Sequence, residues 1–254
     1  PWLFEKRLAA GFTLFNTSSG LTRLYDVEQK GFDVYIRKRL IELIEARLSY
    51  SLVEFGFYNF ARELDGVQRD QLEQSNGQIS SLNLLLLRDR RDRIINTFRG
   101  SRLELDLTTA GGPLGGNFQY NKIESRNLIH FPISTWHSQT IGFLIRAGVV
   151  KESGDSEFVP IEERFYLGGP YTLRGFEFRD VSPKSGRVPL DPELADSGIG
   201  RRPFEIGGKT YGMISAEYTI GFTEGFHGAI FYDGGFVNKA AGDFSMDRVK
   251  AFGE

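Results

Sequence analysis

The chain has 254 residues with 31 basic and 33 acidic side chains, a net charge of −2, so it lacks the basic excess that nucleic-acid binding calls for. It has no cysteine, which excludes a disulfide framework, a Cys-ligated zinc site and a thiol nucleophile, and its three histidines, His130, His137 and His227, are scattered and leave little for a His-based metal site. Mean hydropathy is −0.28 and no apolar run approaches the ~18 residues of a membrane-spanning helix, which excludes a helical membrane protein but not a membrane β-barrel, whose alternating strands average out as polar.

At the start, Pro1, Trp2, Leu3 and Phe4 show neither a signal-peptide pattern nor an initiator Met, so a fragment or processed piece is expected. The dominant periodicity beyond them is two. Strands are expected over Leu8–Phe15, Gly31–Leu40, Glu45–Val53, Ser80–Arg88, Ser101–Thr108, Phe118–Phe131, Thr140–Val150, Tyr211–Phe222 and Phe226–Gly235, about nine strands of ~8–12 residues, the length a tilted strand needs to cross a bilayer. The clearest is Ser101–Thr108, with Leu103, Leu105 and Leu107 opposite Arg102, Glu104 and Asp106. Residues Arg37–Leu48 also fit a helix, with Leu40, Ile41, Ile44 and Leu48 on one stripe, but alternation on both sides favours two strands meeting near Glu42–Glu45. Phe118–Phe131 alternates poorly: Lys122, Glu124 and Arg126 share one side, and Ile123 shares the other with Ser125 and Asn127.

The longest non-alternating stretch is Lys151–Lys209, rich in glycine and proline, and a loop of that length inside a domain is usually functional or disordered. The composition, with 30 glycines against 9 prolines and with 22 Phe, 10 Tyr and 2 Trp, suits many strands and turns. Two architectures satisfy the pattern. A soluble sandwich would bury the leucine rows between two sheets; a barrel in lipid would turn them outward and keep the charges in a wet lumen. Periodicity alone does not choose between them. Glu162/Glu163 and Asp89/Asp92 read as charged loop ends rather than glycosidase pairs, and Ser182 and His227 form no visible triad. Asn16-Thr17-Ser18 is a chance sequon match, and no G-K-[ST] follows the glycines at 168–169. Trp136, Tyr218, Phe222 and Tyr232 are expected in interface girdles or strand packing.

The long loop contains Arg164-Phe165-Tyr166-Leu167-Gly168-Gly169-Pro170-Tyr171-Thr172-Leu173-Arg174-Gly175-Phe176. Here the sequence resembles the BamA family of outer-membrane barrels, whose hallmark loop reads roughly F-x-x-G-G-x-x-x-(V/L)-R-G-(F/Y). The match covers Phe165, Gly168, Gly169, Leu173, Arg174, Gly175 and Phe176, and Glu177–Pro183 continues it. Three further segments agree in order. Leu86–Asp92 with Gly100, carrying Asp89 and Asp92, resembles the family's D-x-R-D…G stretch. Ser215-Ala216-Glu217-Tyr218 resembles its S-x-E-(Y/F) strand, and Ile230–Gly235 its F-x-D-x-G strand. Residues 91–100 lack the usual proline before that glycine, a departure from the family's pattern at that turn.

The resemblance implies an all-β fold: part of a sixteen-stranded antiparallel transmembrane β-barrel, spanning 1–254, with 151–209 folding into the lumen between the eleventh and twelfth strands. It implies that the POTRA domains and the first and last barrel strands lie outside this chain. The implied function is folding and insertion of β-barrel proteins into the outer membrane of a Gram-negative-type envelope, without nucleotide, cofactor, metal or enzymatic chemistry. The alternative is a dedicated outer-membrane translocase or a TamA-like assembly factor. Implied partners are unfolded barrel substrates, lipoprotein subunits of BAM type, periplasmic chaperones and the lipid bilayer. The alternation itself puts Glu217 on a polar face and lets Asp233 point the same way. Two such carboxylates on neighbouring strands repel unless a cation lies between them, and Arg174 can supply a two-pronged donor. Whether it pairs with Glu217, with Asp233 or with both stays open here, as does a solvated loop arginine. A lock that is purely structural is equally compatible with the sequence.

Overall fold

Period-two sequence becomes one antiparallel meander. The computed structural model describes residues 8–20, 24–41, 43–61, 64, 66–189, 201–223, 226–246 and 250–253, of which 185–189, 201–203 and 250–253 are described by backbone alone. In chain order the elements are β1 (Leu8–Ser19), β2 (Asp26–Ile41), β3 (Ile44–Tyr58), α1 (Gly66–Glu73), β4 (Gly77–Asp89), β5 (Gly100–Ala110), β6 (Tyr120–Ser134), β7 (Gln139–Glu152), β8 (Lys184–Pro189), β9 (Arg201–Glu205), β10 (Thr210–Gly221), β11 (His227–Asn238) and β12 (Lys250–Gly253). A 10-stranded sheet runs β1-β2-β3-β4-β5-β6-β7-β10-β11-β12, and β8-β9 form a separate hairpin. All nine expected strands are present, most of them longer than expected, and β12 is an addition. Residues 37–41 and 44–48 belong to two paired strands, with Ile41 opposite Ile44, and Glu42 at their expected meeting point lies outside the described residues.

Besides β12, a hairpin and a helix were not foreseen. The stretch 151–209 is not wholly irregular, since β8 and β9 pair within it. The helix α1 occupies the β3–β4 connection and buries Gln68 and Leu72. Its eight residues have no strong apolar stripe to announce them; Leu72 is simply captured by the core that the long loop completes.

The meander puts the β1–β2, β3–β4, β5–β6, β7–β10 and β11–β12 connections at one end, the long-loop end. The other end carries the β2–β3, β4–β5, β6–β7 and β10–β11 connections. Register fixes the two faces. Leu105, Ser125, Ala147 and Gly212 lie in one row across β5, β6, β7 and β10 on the apolar face. Glu104, Arg126, Arg146 and Met213 form the corresponding row on the other. No second sheet covers the apolar face among the described residues, where Leu48, Leu82, Leu105, Ile145, Ile214 and Ile230 all stand exposed. The sandwich is therefore excluded, and a continuous apolar face of this extent belongs against lipid. No helix of the described residues is long and apolar enough to cross a membrane.

The opposite face is graded, which alternation does not reveal. Midway along the strands it carries ion pairs such as Arg47–Asp33 and Arg146–Glu124. Towards the long-loop end it turns apolar, with Val27, Phe55, Phe57, Tyr120, Val150 and Tyr211 buried. These receive Val159, Ile161, Leu167, Leu173, Val181 and Phe204 from the long loop, and together they are the hydrophobic core. The core thus lies between sheet and loop on the face that the sequence reads as simply polar.

Candidate functional site

The long loop meets the sheet at three levels. At its root, Lys122 Nζ on β6 donates to the Glu163 carbonyl (3.1 Å) and to Glu163 Oε2 (3.2 Å). The Phe165 ring packs on Tyr211 of β10 with centroids 4.5 Å apart. Above the root the chain reverses at Gly168 and Gly169, whose φ angles are 110° and 98°. A Cβ on Gly168 would sit 2.2 Å from the Glu177 carbonyl oxygen, so only glycine closes this turn. Thr172 Oγ1 bonds both the amide and the carbonyl of Gly168 (2.9 Å each), and Leu173 is fully buried beneath.

The turn delivers Arg174 to the polar face of β10 and β11. Its Nε donates to Asp233 Oδ2 (2.7 Å) and its Nη2 to Asp233 Oδ1 (2.8 Å), a bidentate pair. Nη2 also donates to Ser215 Oγ (3.0 Å), Nη1 to Glu217 Oε2 (2.8 Å), and the Arg174 amide to Asp233 Oδ2 (3.2 Å). The guanidinium carbon stands 3.5 Å from the centroid of the Phe231 ring. Arg174 therefore contacts both candidate carboxylates. Ser215 faces Asp233 across the ladder, and Glu217 faces Phe231, so register alone brings all four residues together. The hydrogen bonds to Asp233, followed by those to Glu217, hold the Arg174 guanidinium above its already high pKa despite burial.

The two acids differ in setting. The Asp233 side chain is 0% exposed and Glu217 is 41% exposed. Glu217 lines two cavities, one of about 1000 Å³ at the end of the sheet away from the long loop and one of about 240 Å³ beside the loop tip. The larger cavity gathers all three histidines, although their sequence positions gave no hint of it. Among the described residues no group of three His, Asp or Glu side chains is arranged to hold a metal ion.

The Asp89–Gly100 segment forms a structured turn whose Arg91 and Phe98 line the larger cavity together with Glu217. Asp89 pairs with Arg91 (2.7 Å), and Asp92 Oδ1 accepts the amides of Phe98 (3.1 Å) and Arg99 (3.2 Å). Gly100 has φ 114°, and a Cβ there would lie 2.2 Å from the Arg90 carbonyl oxygen. The two acid pairs read as loop ends have partners of this kind: Glu162 pairs with Arg179 and Glu163 with Lys122. Sequence reasoning did not single out Ser215 and Phe231 as Arg174 partners, although each stands two residues before a named acid and so on the same face. It also missed the Arg179–Glu162 pair, which joins two segments of the same loop and carries no periodic signal.

A family model described as the Omp85 superfamily domain matches residues 1–251. The chain belongs to the Omp85 superfamily. This Omp85 chain is similar to proteins of several organisms. It is 27% identical over 234 residues to the outer membrane protein assembly factor BamA of Nitratidesulfovibrio vulgaris, covering 87% of this chain and 27% of that protein. It is 33% identical over 111 residues to a SAM50-like protein of Drosophila melanogaster, covering 44% of this chain and 24% of that protein. The chain thus spans about a quarter of the length of the curated relatives it matches. In fold it is similar to the crystal structure of BamA from Haemophilus ducreyi lacking POTRA domains 1–3, with a TM-score of 0.74 at 18% identity over 96% of this chain and 51% of that one. The sheet of this Omp85 domain is a wall of an outer-membrane β-barrel, with its apolar face to lipid.

Proposed function

We propose that this chain is the barrel portion of an assembly factor that folds and inserts β-barrel proteins into the outer membrane, without nucleotide or covalent chemistry. In this reading the sheet belongs to a sixteen-stranded barrel, the charged face lines its lumen, and residues 151–209 fold into that lumen. The observation that carries it is Arg174, held by Asp233, Ser215 and Glu217 from two neighbouring strands that the family motifs also select. The likeness to BamA and SAM50-like proteins supports the same reading.

The physical task is to lower a kinetic barrier. An unpaired strand edge cannot cross hydrocarbon, because each unsatisfied backbone group costs several kcal/mol there. A host barrel that offers pairing partners removes that cost while the client's strands assemble. The docked loop contributes by bracing β10 and β11 from inside, which keeps the wall in register. Unfolded barrel clients, lipoprotein subunits and periplasmic chaperones are the partners this activity calls for.

The test is depletion of the full-length protein in its host, followed by quantification of unrelated outer-membrane barrels and rescue with Arg174→Ala. A general fall in folded barrels, restored by wild type and poorly by Arg174→Ala, is expected. Unchanged barrels with loss of a single exported protein would replace this reading with that of a dedicated translocase.

A further inference from the structure

Five residues beyond Arg174, a second arginine closes the loop tip on itself. Arg179 Nη2 donates to Glu162 Oε2 (2.9 Å) and Nη1 reaches Oε1 (3.4 Å). Glu162 precedes the glycine turn and Arg179 follows Arg174, so the pair joins the two legs of the tip. Both side chains are nearly buried, at 14% and 8% exposure. The guanidinium carbon lies 4.4 Å from the Tyr166 ring centroid and 5.6 Å from that of Phe178. Burial works against the charge of Arg179, and the facing Glu162 more than restores it. The backbone at Arg179 has φ 61°, a conformation an arginine keeps only where its surroundings impose it.

The latch has backbone support. Leu167 and Val181 exchange reciprocal amide–carbonyl bonds of 3.0 Å, and the Gly169 amide donates to the Phe176 carbonyl at 3.0 Å. Below the latch, Lys122 and Tyr211 tie the adjoining Glu163 and Phe165 to the wall. The tip is therefore a short self-closed unit, anchored at its root, with Arg174 at its far end.

We infer that Arg179 is a positioning residue for Arg174: its ion pair with Glu162 fixes the legs of the tip, and with them the height and angle at which the Arg174 guanidinium meets Asp233, Ser215 and Glu217. An arginine making several hydrogen bonds within 3.2 Å demands a rigid support, because a shift of about 1 Å in a charged contact abolishes its geometry. The role in assembly rests on the function proposed above; the positioning itself does not.

The experiment uses the full-length protein in its native membrane. Leu144 lies on the polar face of β7 and lines the small cavity together with Pro170, Tyr171 and Thr172 of the tip. A cysteine placed there (L144C) reports tip docking through its labelling rate with a water-soluble maleimide. Arg174→Ala should raise that rate by undocking the tip. Arg179→Ala should raise it to within about twofold of the Arg174→Ala rate, and the double variant should be no faster, since residues acting through one contact are not additive. Glu162→Arg combined with Arg179→Glu should return the rate towards wild type. Heat-dependent gel mobility shows whether each barrel is folded; if Arg179→Ala is not, Arg179→Lys replaces it, keeping the charge but losing the fork. An unchanged labelling rate in a folded Arg179 variant, or an effect that multiplies that of Arg174→Ala, overturns the inference. If the Arg174 and Arg179 variants both undock the tip while barrel assembly in the host continues normally, positioning stands and the proposed use of the lock in assembly falls.

Discussion

Asp233 and Glu217 share one arginine but not one environment. Asp233 is fully buried and accepts three bonds from Arg174, whereas Glu217 accepts one and faces a water-accessible cavity. Removing Asp233 strands the arginine against Phe231 with its bidentate partner gone, whereas removing Glu217 costs an interaction that water can partly replace. Asp233→Ala is expected to destabilise the docked loop by about 3–5 kcal/mol, and Glu217→Ala by about 0.2–1 kcal/mol. Urea midpoints for protease cleavage within the long loop measure both, and equal losses would sink the distinction. The direction of both acids was legible in the sequence, because alternation with Tyr218 and Tyr232 sets the face. Their inequality was not. It depends on the depth at which a loop some forty to sixty residues away docks, which is a tertiary fact with no local signature.

Elements were read well where one face meets lipid and the other does not. In β5 and β7 a one-residue slip would put charge into hydrocarbon, so the pattern is strict and the register follows from it. The poor alternation of β6 has a specific cause. Ser125 and Asn127 lie on the apolar face, between Leu105 and Ala147 and between Leu103 and Ile145, near the middle of the band. Asn127 Nδ2 donates to Ser125 Oγ at 2.9 Å, which satisfies part of the amide and leaves the rest towards lipid. Asn127→Leu is therefore expected to stabilise the barrel in a bilayer by about 1 kcal/mol. The urea midpoint in liposomes checks it, and a lowered midpoint would show that Asn127 holds a contact outside this sheet. Among the elements that escaped the reading, α1 and the β8–β9 hairpin lie in connections. There no lipid boundary enforces a period, and tertiary capture of a few apolar residues decides the structure.

At the scale of the whole molecule the protein inverts the usual arrangement of a soluble domain. The hydrophobic core lies under the long loop on one face of the sheet, and the largest apolar surface is on the other. Such a sheet is stable only with lipid on that second face, because water against the rows of Leu105, Ile145 and Ile214 would forfeit the burial that favours insertion. The two faces must then differ in chemical access residue by residue. Cysteines replacing Leu105 and Ile145 should resist a water-soluble maleimide in proteoliposomes of the full-length protein and react once urea unfolds the barrel. Cysteines replacing Arg126 and Thr219, on the opposite face of neighbouring strands, should react in the folded state. Arg126 follows Ser125 directly and pairs with Glu104 beside Leu105, so an error of one residue in register would invert the result. Labelling at 105 and 145 with protection at 126 and 219 would place lipid on the charged face, and the lumen, the docked loop and the Arg174 lock would then all have been assigned to the wrong side of the sheet.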